Sequence, residues 1–123
     1  MENFDAGYQM AGFSSRGPTV DLTQIKPDVS APGVGIVAAV PFGVDPADVR
    51  ASSGTSMSAP HMAGAAALIL QAHPSWAPEQ VKLAAMNTAA DMGTDIWGNH
   101  YRVLDQGAGR LDVSRAIAPR LAI

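Results

Sequence analysis

The run Gly54-Thr55-Ser56-Met57-Ser58-Ala59-Pro60-His61-Met62-Ala63-Gly64 puts one hydroxyl where a tight turn gives way to a helix. Gly54 permits a close approach out of a preceding strand, Ser56 sits at the turn, and the apolar stretch 62–72 supplies the helix. A serine oxygen placed there lies at the positive end of the helix dipole. Its own backbone N–H, which has no acceptor inside the helix, can face a developing oxyanion. Those are the needs of a nucleophilic serine in acyl transfer. The plainer job for the same residue is to cap the helix, which asks nothing of its neighbours.

A serine nucleophile needs a base within hydrogen-bonding reach, and His61 is the tempting candidate. In a helix that starts at Ser56 it is fixed a turn or more away, so a structural role is expected, buried and hydrogen-bonded. His73, just before Pro74, and His100, in a polar stretch, read as loop residues. Met57, beside the nucleophile, is expected to wall the leaving-group side of the cleft and to be open to oxidation. Ser52 and Ser53, from the strand before the turn, are expected to line that same primed side.

The elements that must hold this turn read as α/β. Residues 29–31, 35–40 and 50–52 have strand character, and Pro41-Phe42-Gly43 through Asp45-Pro46 makes the connection. The first long helix should start near Thr55 or Ser56 and run to about Ala72, with Pro60 in its first turn. Its alanines and the leucines that follow make it apolar all round, the pattern of a helix buried in the middle of a domain. A second helix opens at Pro78, with Val81, Ala84, Ala85 and Thr88 on one face and Glu79 and Lys82 outward. Asp112 is placed to cap a short last helix ended by Pro119.

The Gly54-Thr55-Ser56-Met57 segment resembles the nucleophile block of the subtilisin-like serine proteases, the subtilases. Phe13-Ser14-Ser15-Arg16-Gly17-Pro18 and Lys26-Pro27-Asp28-Val29-Ser30-Ala31-Pro32-Gly33 resemble two blocks that precede it. His73-Pro74-Ser75-Trp76-Ala77-Pro78 with the helix after it, and Gln106-Gly107-Ala108-Gly109-Arg110, resemble the closing helix and last strand. Family order across nearly the whole chain is far more specific than a lone Gly-Thr-Ser. The wording is closest to the larger secreted subtilases. The resemblance implies a partial three-layer subtilisin-like fold, with a mostly parallel sheet and a buried central helix after the nucleophile. It makes Ser56 the nucleophile and its N–H half of the oxyanion hole, places the Thr55 hydroxyl near the oxyanion, and makes His61 a non-catalytic histidine.

In the subtilisin triad the acid and base precede the serine. No Asp-Ser/Thr-Gly block, no His-Gly-Thr block and no upstream oxyanion asparagine occurs in these residues, and Asn87 and Asn99 follow the serine, out of order. Residues 1–123 are therefore expected to be the C-terminal portion of a subtilase peptidase domain. By itself the chain is expected to be inactive and a poor folder. Its partners would be a polypeptide substrate and the rest of the domain or a complementary chain.

Composition agrees with such a portion. Hydrophobic residues make up 47% and charged residues 15%, which suits the interior of a domain and excludes a disordered tail. A net charge of −3 without a basic run argues against nucleic acid or an acidic membrane as partner. The absence of cysteine excludes a disulfide scaffold, a thiol nucleophile and a cysteine zinc site. No signal peptide is recognisable, so a secreted parent follows from the resemblance alone. No cofactor is expected. Asp91, Asp95, Asn99 and Asp105 lack the spacing of an EF-hand, and although subtilases often bind calcium, no such site maps onto these residues. Gly107-Ala108-Gly109 lacks the continuation of a phosphate loop and reads as a turn at a strand edge. Two other readings are a non-catalytic peptide-binding module and a structural subunit of a split enzyme.

Overall fold

The computed structural model describes residues 9–41, 43 and 48–118. Its elements run β1 (Ile36–Ala39), β2 (Val49–Ser52), α1 (Thr55–Ala72), α2 (Pro78–Asn87), α3 (Val103–Gln106) and α4 (Val113–Ala116). Among the described residues no helix is long and apolar enough to cross a membrane.

The helix α1 occupies the span its sequence predicts, but it is covered on one face only. Ala65 and Ile69 are buried, and Met62 and Ala66 pack beside them at helical spacing. Leu68 and Leu70 remain 49% and 39% exposed. The expectation of burial all round is corrected here: α2, α4 and residues 29 and 31 cover one side, and nothing among the described residues covers the other. Val81, Ala85, Leu111 and Ala116 complete the core.

In α2, Pro78 stands at the start, the Gln80 side chain accepts the Ala77 N–H at 2.8 Å, and Val81, Ala84 and Ala85 are the buried face. Lys82 points outward to Asp28, 2.8 Å away. Asp112 caps α4 by accepting the Arg115 N–H at 3.1 Å. Pro119 lies outside the described residues, as do Phe42, Asp45 and Pro46 of the expected connection. His73 does more than fill a loop. Its ring stacks on Trp76 with centroids 3.8 Å apart, and Nε2 donates to the Ile117 carbonyl at 2.9 Å, tying the end of α1 to the end of α4.

Strands β1 and β2 pair antiparallel, Ile36 opposite Ser52 and Ala39 opposite Val49. Residues 29–31 form no strand of their own: Ser30 makes a single parallel bridge to Arg110, which bridges antiparallel to Ala90. A mostly parallel sheet is thus not formed within the described residues, because the segment finds a ladder partner on one side only. The Gly107-Ala108-Gly109 segment is the strand-edge turn its sequence suggests. It delivers the Ala108 N–H to Asp28 O at 3.0 Å, and Gly109 O accepts the Ser30 N–H at 2.8 Å.

Asp105, 7% exposed, joins two distant segments. It accepts the Arg102 N–H at 2.9 Å and Arg102 Nε at 3.1 Å, and Arg16 Nη1 from the Phe13–Pro18 block at 2.8 Å. These bonds, those of Arg102 foremost, hold its carboxyl well below the ordinary 3.8. Because the folded state depresses this pKa, the stabilisation is full above the ordinary value and is lost as pH falls toward the folded one. Asp105→Asn is therefore expected to be less stable than the wild type at about pH 7, with the gap narrowing at about pH 2. Urea unfolding at both values checks this, and an equal gap at both would refute it.

Candidate active site

Ser56 is the second residue of α1 and is exposed. The turn before it is made by Gly54, which carries no side-chain cap and accepts the Met57 N–H at 3.0 Å. A Cβ on Gly54 would stand 3.2 Å from Ser56 Oγ and 3.6 Å from Met57 Sδ. The serine oxygen lies over the bare side of the turn. Thr55 and Ser56 are in the first turn of the helix, where backbone N–H groups have no intrahelical acceptor and the dipole is positive.

Pro60 lies deeper than its sequence suggests. With Thr55 as the first helical residue, Pro60 is past the orphan donors, and the N–H it lacks is the one that would bond the Ser56 carbonyl. His61 is hydrogen-bonded as expected, Nδ1 donating to the Met57 carbonyl at 2.8 Å, but it is exposed and not buried. The same open face that leaves Leu68 uncovered leaves this ring uncovered. That bond points the ring back along its own helix, and no hydrogen bond joins it to Ser56 among the described residues.

Thr55 and Ser58, three residues apart on one helical face, line an open cavity of about 400 Å³ with Phe13, Pro32, Val34 and Met92. Met57 and Ser52 are half-buried, and Ser53 is exposed. The Ser53 Oγ accepts the Gly35 N–H at 2.9 Å, so the hydroxyl expected to face substrate also clamps the start of β1. Two further bonds escaped sequence reasoning: Ser58 Oγ donates to Ala31 O at 3.0 Å, and the Gly54 N–H donates to Gly33 O at 2.8 Å. The small-residue run Ser30-Ala31-Pro32-Gly33 facing a hydroxyl-bearing turn was the available signal.

The four residues weighed for a cation turn to separate tasks. Asp105 holds the two arginines. Asp95 accepts the N–H groups of Trp97 and Asn99 at 2.9 and 2.8 Å, and the Asn99 amide returns to Asp95 at 3.1 Å. Asp91 accepts from Gln106 Nε2 at 2.9 Å and pairs with His100 at 3.0 Å. The Gln106 bond foremost holds the Asp91 carboxyl below its ordinary range. Gln106, buried and given no role of its own by the sequence beyond its place in the closing block, also donates to Tyr101 O at 3.0 Å and accepts the Met92 N–H at 2.9 Å.

Chemically, the arrangement presents the exposed hydroxyls of Thr55 and Ser56 at the start of a helix, braced from behind. The sequence model of the subtilase family, peptidase S8, matches residues 3–109. The chain is 49% identical over 113 residues to the minor extracellular protease Vpr of Bacillus subtilis, covering 90% of this chain and 14% of that protein. It is 43% identical over 129 aligned positions to a subtilisin-like protease of Arabidopsis thaliana, covering 94% and 18%. Among solved structures it is similar to fervidolysin from Fervidobacterium pennivorans, a keratinolytic enzyme related to subtilisin. That likeness has 28% identity and a TM-score of 0.61, covering 74% of this chain and 15% of the other. The chain thus spans between 14% and 18% of the length of these proteins. With the family's pattern running through its strands, its Gly-Thr-Ser turn and its closing helix, the chain belongs to the subtilase family.

Proposed function

We propose that the protein to which these residues contribute is a serine endopeptidase that cleaves peptide bonds through an acyl-enzyme on Ser56. The observation that carries this is the exposure of Ser56 at the start of α1 inside the Gly-Thr-Ser-Met block of a subtilase. Ser56 Oγ bonds to the scissile carbonyl carbon and gives its proton to a histidine from chain outside these residues. The oxyanion so formed accepts from the Ser56 N–H. The C–N bond then breaks, the leaving amine takes that proton, and water attacks the remaining ester by the same steps.

Thr55 is the further donor near the oxyanion in this reading, and Ser52, Ser53 and Met57 line the leaving-group side. The chemistry calls for no cofactor. The substrate is a polypeptide, and the rest of a three-layer subtilisin-like domain, or a complementary chain, supplies the acid and base. The name of the Bacillus subtilis relative, an extracellular protease, supports secretion of the parent. A fluorophosphonate probe should label the full-length protein at Ser56 and fail to label the isolated 123-residue chain. Labelling elsewhere in the full-length protein, or labelling of the isolated chain, would contradict this reading.

Met57 gives a second test. Its sulfur lies 3.6 Å from where a Gly54 Cβ would stand, beside the Ser56 oxygen. Mild peroxide should convert it to the sulfoxide and lower turnover several-fold with the fold intact, since a polar oxygen then crowds the reacting carbonyl. Full activity in protein that mass spectrometry shows to be oxidised at Met57 would remove Met57 from the cleft wall.

A further inference from the structure

We propose that Ser58 is a positioning residue for Ser56, its hydroxyl fixing the direction of the first turn of α1. The proposal rests on the reading of Ser56 as the nucleophile. The turn is weakly held from within its own helix. Gly54 supplies no side-chain cap, and Pro60 lacks the N–H that would bond the Ser56 carbonyl. Its orientation therefore comes from outside the helix.

Among the described residues, two bonds reach it from residues 31–33. Ser58 Oγ donates to Ala31 O at 3.0 Å, and the Gly54 N–H donates to Gly33 O at 2.8 Å. A Cβ added at Gly33 would collide with Ser58 Oγ, so the hydroxyl reaches its acceptor only because that position is bare. The segment that receives it is itself immobilised. Ser30 donates its N–H to Gly109 O and accepts the Leu111 N–H, both at 2.8 Å, and its Oγ donates to Gln106 O at 3.0 Å. Leu111 is in the core and Ala31 packs against it. A continuous path of bonded, packed groups runs from the core to the nucleophile turn, and Ser58 is its last side-chain link.

A serine bonded to a carbonyl is common and contributes modestly to stability anywhere. Its place two residues from the nucleophile is what changes the consequence, because a misplacement of about 1 Å at reacting atoms costs on the order of a hundredfold in rate. Losing one of two braces should tilt the turn by less than that. In the full-length protease, Ser58→Ala is expected to lower kcat about tenfold with KM within about twofold, and to slow fluorophosphonate acylation of Ser56 by the same factor. Ser58→Cys, whose thiol is somewhat larger than the hydroxyl and donates weakly, is expected to behave like Ser58→Ala and guards against a folding failure of the smaller side chain. Both rates are to be normalised to the folded fraction, read from the thermal transition.

Wild-type kcat and acylation in folded Ser58→Ala would overturn the proposal. So would a wild-type Ser58→Cys beside a slow Ser58→Ala, which would make the role one of volume, and so would a loss that vanishes on normalisation. Ser56→Ala, run alongside, separates the two readings. Hydrolysis persisting in it would overturn the nucleophile and this role together, whereas its loss beside an unaffected Ser58→Ala would overturn the positioning role alone.

Discussion

On the proposed function, Ser56→Ala in the full-length protein is expected to abolish peptide hydrolysis while leaving the thermal transition in place. The side chain is exposed, so its loss opens no cavity, and the hydroxyl it removes is the group of the turn proposed to bond covalently to substrate. The expected loss is about a millionfold in kcat, the magnitude that removing the nucleophilic serine has in subtilisin, a member of the same family. His61→Gln should do the reverse. It deletes the bond from Nδ1 to the Met57 carbonyl, worth about 1 kcal/mol, and lowers stability while kcat in the folded fraction falls by less than about tenfold. Equal losses of turnover in the two folded variants would put His61 in the chemistry and refute its structural role.

Local signals foretold local structure well. The start of α1 was readable because a glycine, two hydroxyl residues and an apolar run coincide at Gly54 to Ser56, and α2 because Pro78 and the spacing of Val81, Ala84 and Ala85 agree. The Asp112 cap followed from a side chain that bonds three residues ahead. Burial was a different matter, since it depends on what packs against an element. An all-apolar helix predicts that something covers every face, and in α1 one face is bare, which is why Leu68 and His61 are exposed. Residues 29–31 misled for the same reason, their ladder being complete on one side only.

At the site, the placement of Ser56 at the exposed start of α1 was readable, because the glycine, the hydroxyl residues and the apolar run that set it are adjacent in sequence. The brace was not. Ser58 Oγ to Ala31 O and Gln106 Nε2 to Asp91 span 27 and 15 residues, and such bonds leave no periodic trace in sequence. Even Asp105, which looked like one member of a carboxylate loop, is defined by its pairing with Arg16, 89 residues away.

Gly107→Ala should be strongly destabilising. Gly107 has φ 67° and ψ −134°, a region that sterics close to residues with a Cβ. An added Cβ would stand 2.5 Å from Pro27 O and 2.6 Å from both Asp28 C and O. Those neighbours are backbone, so no flexible side chain can yield. Moving Asp28 away would stretch its carbonyl's bond to the Ala108 N–H, 3.0 Å long, and disturb the carboxylate that holds Lys26 and Lys82 at 2.6 and 2.8 Å. Backbone strain and overpacking together put the cost at about 3–5 kcal/mol, a large part of the ~5–15 kcal/mol that holds a domain folded. Gly98 is the control, because its φ is 84° with nothing within 4 Å, so alanine there meets backbone strain alone, about 1 kcal/mol. Thermal unfolding of the two variants in the full-length protease should show Gly98→Ala near the wild type and Gly107→Ala far below it or insoluble. Because residues 28–31 carry the carbonyl that Ser58 grips, the folded remainder of Gly107→Ala should also lose turnover. Indistinguishable transitions in the two variants would mean that the crowding between Gly107 and Asp28 relaxes freely and that the path from the core to Ser56 is less rigid than its bonds suggest.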